Sequence, residues 1–160
     1  MEDTAAALWE RFLGSGSPVA DDARGVSYET WQFGYGVEQG DRLLALVLSG
    51  RKVGTAGALW AYEHDGDPVP CPGEFSVVTD GSRIARCVIR TTAVHIVPFD
   101  DVDAAHAAAE GEGDLSLPYW RDVHWEYFTC ELDGMGMTAT HDMPVVCERF
   151  ELVFIDKDEA

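Results

Sequence analysis

The sequence predicts an α+β fold, in which helices accompany a curled or barrel-like sheet. Apolar residues recur at helical spacing in segments 4–14, 37–50 and 116–132, which indicates helices. Most of the second half consists instead of short runs rich in β-branched and aromatic residues, which indicates strands. Because the helices and strands do not alternate as they do in βαβ units, a doubly wound parallel sheet is not expected.

The first 25 residues are predicted to form an N-terminal helix and a connector, followed by one domain over residues 26–156. Segment 4–14, TAAALWERFLG, has its apolar side chains at helical spacing. Segment 14–25, GSGSPVADDARG, is rich in Gly, Ser, Pro and Asp, which predicts a loop or mobile connector. A chain of 160 residues is long enough for one domain with a hydrophobic core.

An extended segment and a helix are predicted to follow the connector. YETWQFGYG, residues 28–36, is rich in aromatic residues and fits an extended conformation. VEQGDRLLALVLSG, residues 37–50, has a leucine-rich face at helical spacing, and Gly50 supplies the helix stop. The chain then enters a predicted strand, VGTAGAL, at residues 53–59.

A β-hairpin is the clearest prediction in the second half. EFSVV and RIARCVIRT, residues 74–78 and 83–91, flank the turn TDGS, and Asp-Gly is a strong hairpin signal. The remaining elements are predicted in order as a β segment over 93–99, a helix or helical turn over 100–110 opened by Asp, a long helix over 116–132 with Ser116 as N-cap, and a closing strand over 143–155.

The formal charge of −18, from 29 acidic and 11 basic side chains, argues against a broad nucleic-acid surface. Duplex DNA binding requires clustered Lys and Arg at the phosphates, and an acidic envelope repels a long polyanion. Arg42, Arg51 and Lys52 fall close together in the sequence, so a locally basic cleft remains compatible with the composition. The charge therefore favours a small ligand or a short single strand over duplex DNA.

Neither a membrane span nor a signal peptide is expected. No apolar run approaches the ~18 residues that a membrane-spanning helix needs. The N-terminal segment MEDTAAALWERFLG is acidic and amphipathic, whereas a signal peptide begins with basic residues and an apolar stretch. We therefore expect a cytoplasmic protein.

The sequence predicts no bound metal and no cofactor. Cys71, Cys87, Cys130 and Cys147 are far apart and form no C-x-x-C pair, and the five histidines show no metal-ligand spacing. In a cytoplasmic chain, free and mostly buried thiols are the simplest interpretation of these cysteines.

Lys52 lies in a motif that resembles a known family. The chain has only two lysines, and Lys52 follows the predicted helix stop in SGRKVGT. Gly50, Lys52 and Thr55 fit the G-x-K-x-x-T motif of ASCH domains, a branch of the PUA-like superfamily, and the later segments EGEGD and YWRDVHW strengthen the resemblance. It covers roughly residues 25–155, and it implies a partly open β-barrel flanked by helices, with a cleft at the motif.

The resemblance also implies activities that involve RNA or nucleosides. Some small bacterial ASCH proteins hydrolyse the acetamide of N4-acetylcytidine, and others are described as ribonucleases. In the amidohydrolases the motif Thr is the nucleophile, the Lys is the base and a loop Glu assists, which corresponds here to Thr55, Lys52 and Glu112. Those enzymes carry a basic residue two places after the Thr, where this chain has Gly57, and this departure puts the same substrate in doubt.

Each of the three residues also has an ordinary structural interpretation. Lys52 near a helix end complements the helix dipole, Thr55 is β-branched and suits a strand, and Glu112 between two glycines fits a solvated loop. Other candidates for ligand contact are Gly50, Arg51, Trp60, Tyr62, Arg121 and His124. Trp60 and Tyr62 fit base stacking or core packing equally well. In so acidic a chain, Arg121 fits an acidic partner better than a phosphate contact, and His124 fits a structural imidazole better than a catalytic one.

Three hypotheses of function follow for the sequence. The first is an amidohydrolase acting on an acylated nucleoside, and the second is a non-catalytic module that binds RNA or a nucleotide. The third is a metal-independent ribonuclease in which a lysine stabilises phosphorus and His124 moves protons. The expected partner is a nucleoside, a nucleotide or a short single-stranded RNA, and the sequence leaves the oligomeric state open.

Overall fold

The computed structural model describes residues 3–156, so the first two residues of the predicted N-terminal segment and the second lysine, Lys157, lie outside it. The described chain divides into two compact units. Unit 1 comprises residues 3–50, 73–91 and 150–156, and unit 2 comprises Arg51–Pro72 and Thr92–Arg149. The division at residue 25 stays a prediction.

The described residues contain both helices and strands, as the α+β class requires. The helices are α1 (Thr4–Leu13), α2 (Pro18–Ala23), α3 (Gly36–Leu48), α4 (Leu59–Asp65), α5 (Ala104–Glu110) and α6 (Leu117–Gly134). The strands are β1 (Tyr28–Gln32), β2 (Gly54–Ala58), β3 (Phe75–Thr79), β4 (Ala85–Pro98) and β5 (Pro144–Ile155), with a 3-10 helix at Phe99–Asp101. Between residues 3 and 156, no helix is long and apolar enough to span a bilayer.

The strands form one sheet in the order β1-β3-β4-β5-β2. Strand β1 pairs in parallel with β3, whereas β3 with β4 and β2 with β5 are antiparallel pairs. The long strands β4 and β5 each contribute residues to both units. Strand β2, which follows the lysine motif, is an edge strand of this sheet.

The elements with the clearest sequence signals are confirmed. Helices α1, α3 and α6 lie where apolar periodicity predicts them. Ser116 caps α6, because its side chain accepts a hydrogen bond from the Tyr119 backbone amide at 3.2 Å. Gly50 follows α3 with a φ of 80°, the left-handed conformation that glycine adopts without strain.

The prediction of a connector without regular structure over residues 14–25 is wrong, because α2 lies within it. Ser17 caps this helix by accepting a hydrogen bond from the Ala20 amide, and Pro18 occupies the first turn. Ser and Pro are typical of loops, but they are also the residues that favour a helix N-terminus. The buried side chains of Ala20 and Ala23 hold the helix in the core of unit 1.

Three further elements differ from the sequence predictions. Segments 83–91 and 93–99 form the single strand β4, because the Thr-Thr pair between them suits an extended chain and provides no turn. The short helix α4 was not predicted; it begins directly after β2 and ends at Gly66, whose φ is 71°. The helix predicted at 100–110 is split into the 3-10 helix and α5, which Asp103 caps.

The core of unit 1 contains an aromatic cluster between α1 and the sheet. Trp9 contacts the ring of Phe12 edge-on at 5.4 Å between centroids and the ring of Phe75 at 5.7 Å. Leu8 and Val77 are fully buried in the same cluster. A second cluster in this unit packs α3 against Val78, Cys87, Ile89 and Phe150.

The core of unit 2 is centred on Phe99. Its ring contacts Trp120, Trp125 and Phe128 of α6, at centroid distances of 5.5, 5.4 and 6.3 Å. These contacts fix the rotation of α6 about its axis, so that Trp120 points into the core. In this orientation Trp120 Nε1 donates a hydrogen bond to the Glu110 carboxylate.

Asp80 stabilises the predicted hairpin turn through its side-chain hydrogen bonds. Its carboxylate accepts hydrogen bonds from the Ser82 and Ile84 amides at 2.8 and 3.0 Å and from Arg86 Nε at 2.9 Å. Burial opposes the charge, but these donors and the Arg86 charge outweigh it and lower the pKa of Asp80. The carboxylate is therefore ionised at neutral pH and bonded to three donors.

We expect Asp80→Asn to lower the free energy of unfolding by about 1–3 kcal/mol at pH 7, because one bonded carboxylate oxygen becomes an amide donor facing Arg86. Urea denaturation measures the loss. The exposed Asp122→Asn in α6 is the matched control. Equal stability of the two variants would contradict the role assigned to Asp80.

Candidate functional site

Lys52 lies in a backbone arrangement that brings it against the C-terminal end of α5. The amide of Val53 donates a hydrogen bond to the Ala109 carbonyl at 2.8 Å. A Cβ at Gly111 would lie 2.5 Å from the Arg51 carbonyl oxygen, so only glycine permits this close approach. The lysine side chain is consequently buried, with 2% of its surface exposed.

Three acceptors surround the Lys52 ammonium group. Its Nζ lies 3.3 Å from the main-chain carbonyl oxygen of Glu110, 3.4 Å from Glu110 Oε1 and 3.3 Å from Glu112 Oε2. The structure thus brings together two of the three predicted catalytic residues, Lys52 and Glu112. It adds Glu110, which the sequence analysis did not select.

The carboxylate of Glu110 is fully buried and is the centre of the cluster. Its Oε1 lies 3.3 Å from His124 Nε2, in addition to the Lys52 contact. Its Oε2 lies 2.8 Å from His106 Nε2 and accepts a hydrogen bond from Trp120 Nε1. Burial alone would raise the pKa of Glu110, but the His124 charge, the histidine hydrogen bonds and the Lys52 charge hold it well below its ordinary value.

His124 carries a proton on both ring nitrogens. Its Nδ1 lies 2.9 Å from the Trp120 carbonyl oxygen and its Nε2 faces the Glu110 carboxylate. Both partners are acceptors, so the ring is an imidazolium. Burial opposes this charge, but the charge and hydrogen bond of Glu110 outweigh burial and raise the pKa of His124. Both nitrogens are therefore committed to protein groups, whereas the ribonuclease hypothesis requires one to face a substrate.

Glu112 and His124 are the least buried members of the charged cluster. Their side chains are 15% and 13% exposed, whereas those of Lys52 and Glu110 are each 2% exposed. Glu112 lies between Gly111 and Gly113, whose φ values are 73° and 60°. The Tyr119 ring occupies the space that a side chain at Gly113 would need, which fixes the loop on α6.

Thr55, the predicted nucleophile, faces away from this cluster. A Cβ at Gly54 would lie 3.3 Å from Ala109 of α5, whereas one at Gly57 would lie 2.7 Å from the Tyr62 ring. Gly54 and Gly57 therefore point to opposite faces of β2. Since successive residues of a strand alternate between faces, Thr55 shares the face of Gly57.

Tyr62 and Trp60 occupy different environments. Tyr62 covers Gly57, the position where the amidohydrolases carry a basic residue. Burial and then the Glu148 and Glu131 charges raise the pKa of Tyr62 to about 12. Trp60 is partly buried and packs against the core of unit 2, which favours the packing interpretation of this residue.

The two predicted arginine contacts also differ from each other. Arg121 Nη2 donates a hydrogen bond to the Asp100 carbonyl at 2.9 Å, which is a main-chain partner and not the acidic side chain that the sequence favoured. Its buried Nε has no hydrogen-bond partner among residues 3–156. Arg51 is exposed at the start of the segment that carries Lys52.

No metal site is evident in the part of the chain that the structure describes. No group of three or more His, Cys, Asp or Glu side chains between residues 3 and 156 is arranged to hold a metal ion. The four cysteines are free, but only Cys87 and Cys147 are buried, whereas Cys71 and Cys130 are exposed.

Sequence reasoning missed Glu110 and His106, although a signal was present. His106 and Glu110 are four residues apart on one predicted helix, and Trp120 and His124 are four residues apart on another. Residues at this spacing share a helix face, so each pair could have been recognised as two polar groups pointing the same way. That both faces meet Lys52 depends on the tertiary fold.

Comparisons with known proteins identify relatives of this chain. The family model described as ASCH domain matches residues 29–154. The crystal structure of an ASCH domain from Lactobacillus crispatus JV V101 is similar with a TM-score of 0.87, at 29% identity over 96% of each chain. Protein EF3133 from Enterococcus faecalis V583, of family DUF984, has a TM-score of 0.88 at 31% identity, covering 99% of this chain and 93% of that one.

No curated protein matches the chain. The likeness to the two crystal structures nevertheless confirms the predicted α+β, PUA-like fold class.

The His124 contacts predict a pH-dependent stability. Because its folded pKa is raised above 6.5, its contribution is fully present below about pH 6.5 and is lost as the pH rises through the folded value. We expect the stability gap between the native protein and His124→Gln to shrink between pH 6 and 8.5 in urea denaturation. His64→Gln, at a half-exposed residue, is the control. A gap independent of pH would contradict the imidazolium assignment.

Proposed function

We propose that this chain, which belongs to the ASCH domain family, binds a nucleoside or RNA-derived ligand at Lys52 and Glu112. One observation carries the proposal. The Glu112 and His124 side chains, which are 15% and 13% exposed, contact the buried Lys52 and Glu110 side chains, which are each 2% exposed. Clusters of ionisable groups with shifted pKa values are characteristic of functional sites.

The burial of these charges supports a functional role, because an apolar core would avoid the cost of burying them. Removing charges from water costs several kcal/mol per ion, and well-packed apolar residues often stabilise a core equally well. The contacts of Glu110 with Lys52 and His124 therefore indicate that these charges serve a function. Because the Glu112 side chain is partly exposed, recognition of a polar ligand there is the function that we favour.

The charge of the whole chain limits the size of the ligand. A net charge of −18 repels long nucleic acid, so a nucleoside, a nucleotide or a short single-stranded RNA is favoured over duplex. The family resemblance indicates that the ligand is a nucleoside or is derived from RNA. Because most of the cluster is buried, only a ligand that reaches the Glu112 side chain can bind there.

Binding is tested by titrating cytidine, adenosine, their monophosphates and a short single-stranded RNA into the protein. We expect saturable binding of at least one of these ligands, weakened by at least about tenfold in Glu112→Gln, because a hydrogen bond to a charged group is lost. Glu126→Gln, an exposed glutamate of α6, is the matched control and should bind as the native protein does. No saturable binding, or unchanged binding in Glu112→Gln, would refute the proposal.

A second candidate function is the hydrolysis of an N-acylated nucleoside. The Lys52–Glu112 contact of 3.3 Å favours it, because these are two of the three groups that the reaction needs. In this reaction the Thr55 hydroxyl would add to the acyl carbon and lose its proton to a base. The amine would leave with a proton, and water would then release the acid. This candidate ranks second because Thr55 lies on the face of β2 that Gly57 shares, which is opposite to the face of Gly54 and α5.

The hydrolase candidate is tested with a panel of N-acylated nucleosides, with the released nucleoside measured by chromatography. It predicts turnover by the native protein and by Thr129→Ala, an exposed control, and none by Thr55→Ala or Lys52→Ala. Binding should persist in Thr55→Ala. If none of the substrates yields product, the hydrolase candidate is refuted and the binding proposal is unaffected.

A further inference from the structure

A cavity of about 610 Å³ lies in unit 1 at the C-terminal ends of the parallel strands β1 and β3. Residues from the N-terminus of α1 and from the turn between β3 and β4 complete its lining. The polar residues that line it include Asp3, Thr4, Thr30, Thr79 and Arg83, all of which belong to unit 1. A cavity of this size suits a small polar molecule.

The N-terminus of α1 is held beside the hairpin and carries a carboxylate to the cavity. Thr4 Oγ1 accepts a hydrogen bond from the Ala85 amide at 3.0 Å, which joins the first turn of α1 to the start of β4. Asp3 caps the helix, because its Oδ1 accepts a hydrogen bond from the Ala6 amide at 3.1 Å. Within residues 3–156, no hydrogen bond or ion pair reaches the other carboxylate oxygen of Asp3.

Arg83 brings a positive charge to the same cavity. Its side chain is exposed and forms no ion pair with any residue that the structure describes. Arg86, three residues later, differs because its Nε lies 2.9 Å from the Asp80 carboxylate. Asp3 and Arg83 therefore line one cavity without pairing with each other, and each charge stays available to a ligand.

The backbone of Arg83 is strained. Its φ is 65°, a left-handed conformation that glycine adopts freely and that a residue with a Cβ adopts at a cost. The Arg83 amide donates a hydrogen bond to the Asp80 carbonyl at 3.0 Å, which keeps the turn in this conformation. Strained residues of this kind cluster at functional sites, and the exposed guanidinium group supplies the reason to retain an arginine here.

Thr79 adds a buried hydroxyl group that lacks a protein partner. The residue is only 7% exposed, lines the cavity, and lies on the same face of β3 as Val77, which is buried in the cluster formed with α1. No side chain or main-chain group in the described part of the chain hydrogen-bonds to its hydroxyl. Since buried hydroxyl groups are normally hydrogen-bonded, a ligand in the cavity would supply the missing partner.

The two unpaired charges define the chemistry of that ligand. A guanidinium group binds a carboxylate through parallel N–H donors, and a carboxylate such as Asp3 binds an ammonium group. A purely anionic ligand would be repelled by Asp3 and by the net charge of −18, and a purely cationic ligand would be repelled by Arg83. A small molecule that carries both groups is compatible with both side chains.

We propose that this cavity binds a zwitterion of the free α-amino acid class, with its carboxylate at Arg83 and Thr79 and its ammonium group at Asp3. These residues are distinct from Lys52 and Glu112. Failure of this assignment would therefore leave the proposed function untouched, and failure of the proposed function would leave this assignment untouched.

The first experiment titrates the standard free L-amino acids into the full chain and follows binding by calorimetry. We expect saturable binding of at least one amino acid. Its α-amide and its N-acetyl derivative should bind at least about tenfold more weakly, because each loses one charge-assisted contact. Absence of saturable binding, or equal binding of either derivative, would overturn the proposal.

The second experiment removes the groups assigned to the ligand carboxylate. Arg83→Gly should be at least as stable as the native protein in urea, because glycine relieves the strained backbone, yet it should bind the amino acid at least about tenfold more weakly. Thr79→Val keeps a β-branched residue in the strand and should also weaken binding. Arg42→Gln, at an exposed arginine of α3, is the control and should bind as the native protein does. Unchanged binding in Arg83→Gly would overturn the assignment.

The third experiment uses Asp3→Asn, which removes the charge but keeps the helix cap, because Asn caps helices as well as Asp does. We expect the amino acid to bind this variant at least about tenfold more weakly, whereas its N-acetyl derivative should bind the variant and the native protein equally. Asp103→Asn, at the N-cap of α5, is the matched control. An equal loss for both ligands, or no loss for either, would overturn the contact assigned to Asp3.

Discussion

The contacts of the buried Glu110 carboxylate are the interactions on which the site depends. Its oxygens contact Lys52 in the segment before β2, His106 in α5, and Trp120 and His124 in α6. An isolated carboxylate at this depth would be neutral, because burial disfavours its charge. These donors outweigh the effect of burial and keep the pKa of Glu110 low. The three segments therefore stabilise the negative charge, and the contacts to that charge link the three segments.

This arrangement explains why a lysine is tolerated almost entirely within the protein. A buried ammonium group is stable only where acceptors satisfy all its donors, and Glu110 with Glu112 provides them. The same arrangement explains the charge of His124, whose two nitrogens both donate.

The glycines around Glu112 have a structural function that the motif did not reveal. Gly111 allows the loop to touch the backbone of Arg51, and Gly113 leaves room for the Tyr119 ring. Glu112 is therefore positioned by contacts on both sides, and it differs from the solvated loop carboxylate that its glycine neighbours suggested. The motif residues Lys52 and Thr55, by contrast, belong to different environments, because the pleat of β2 places Thr55 on the same face as Gly57.

The sequence by itself determined the elements whose signals are local. Periodicity predicted α1, α3 and α6, the Asp-Gly turn predicted the hairpin, and the motif with its two later segments indicated the family. Tertiary structure alone decided that Glu110 would join Lys52, a contact that spans 58 positions. It also decided which face of β2 carries Thr55. Contacts between distant segments depend on how helices rotate about their axes and how strands pair, and no local spacing specifies either.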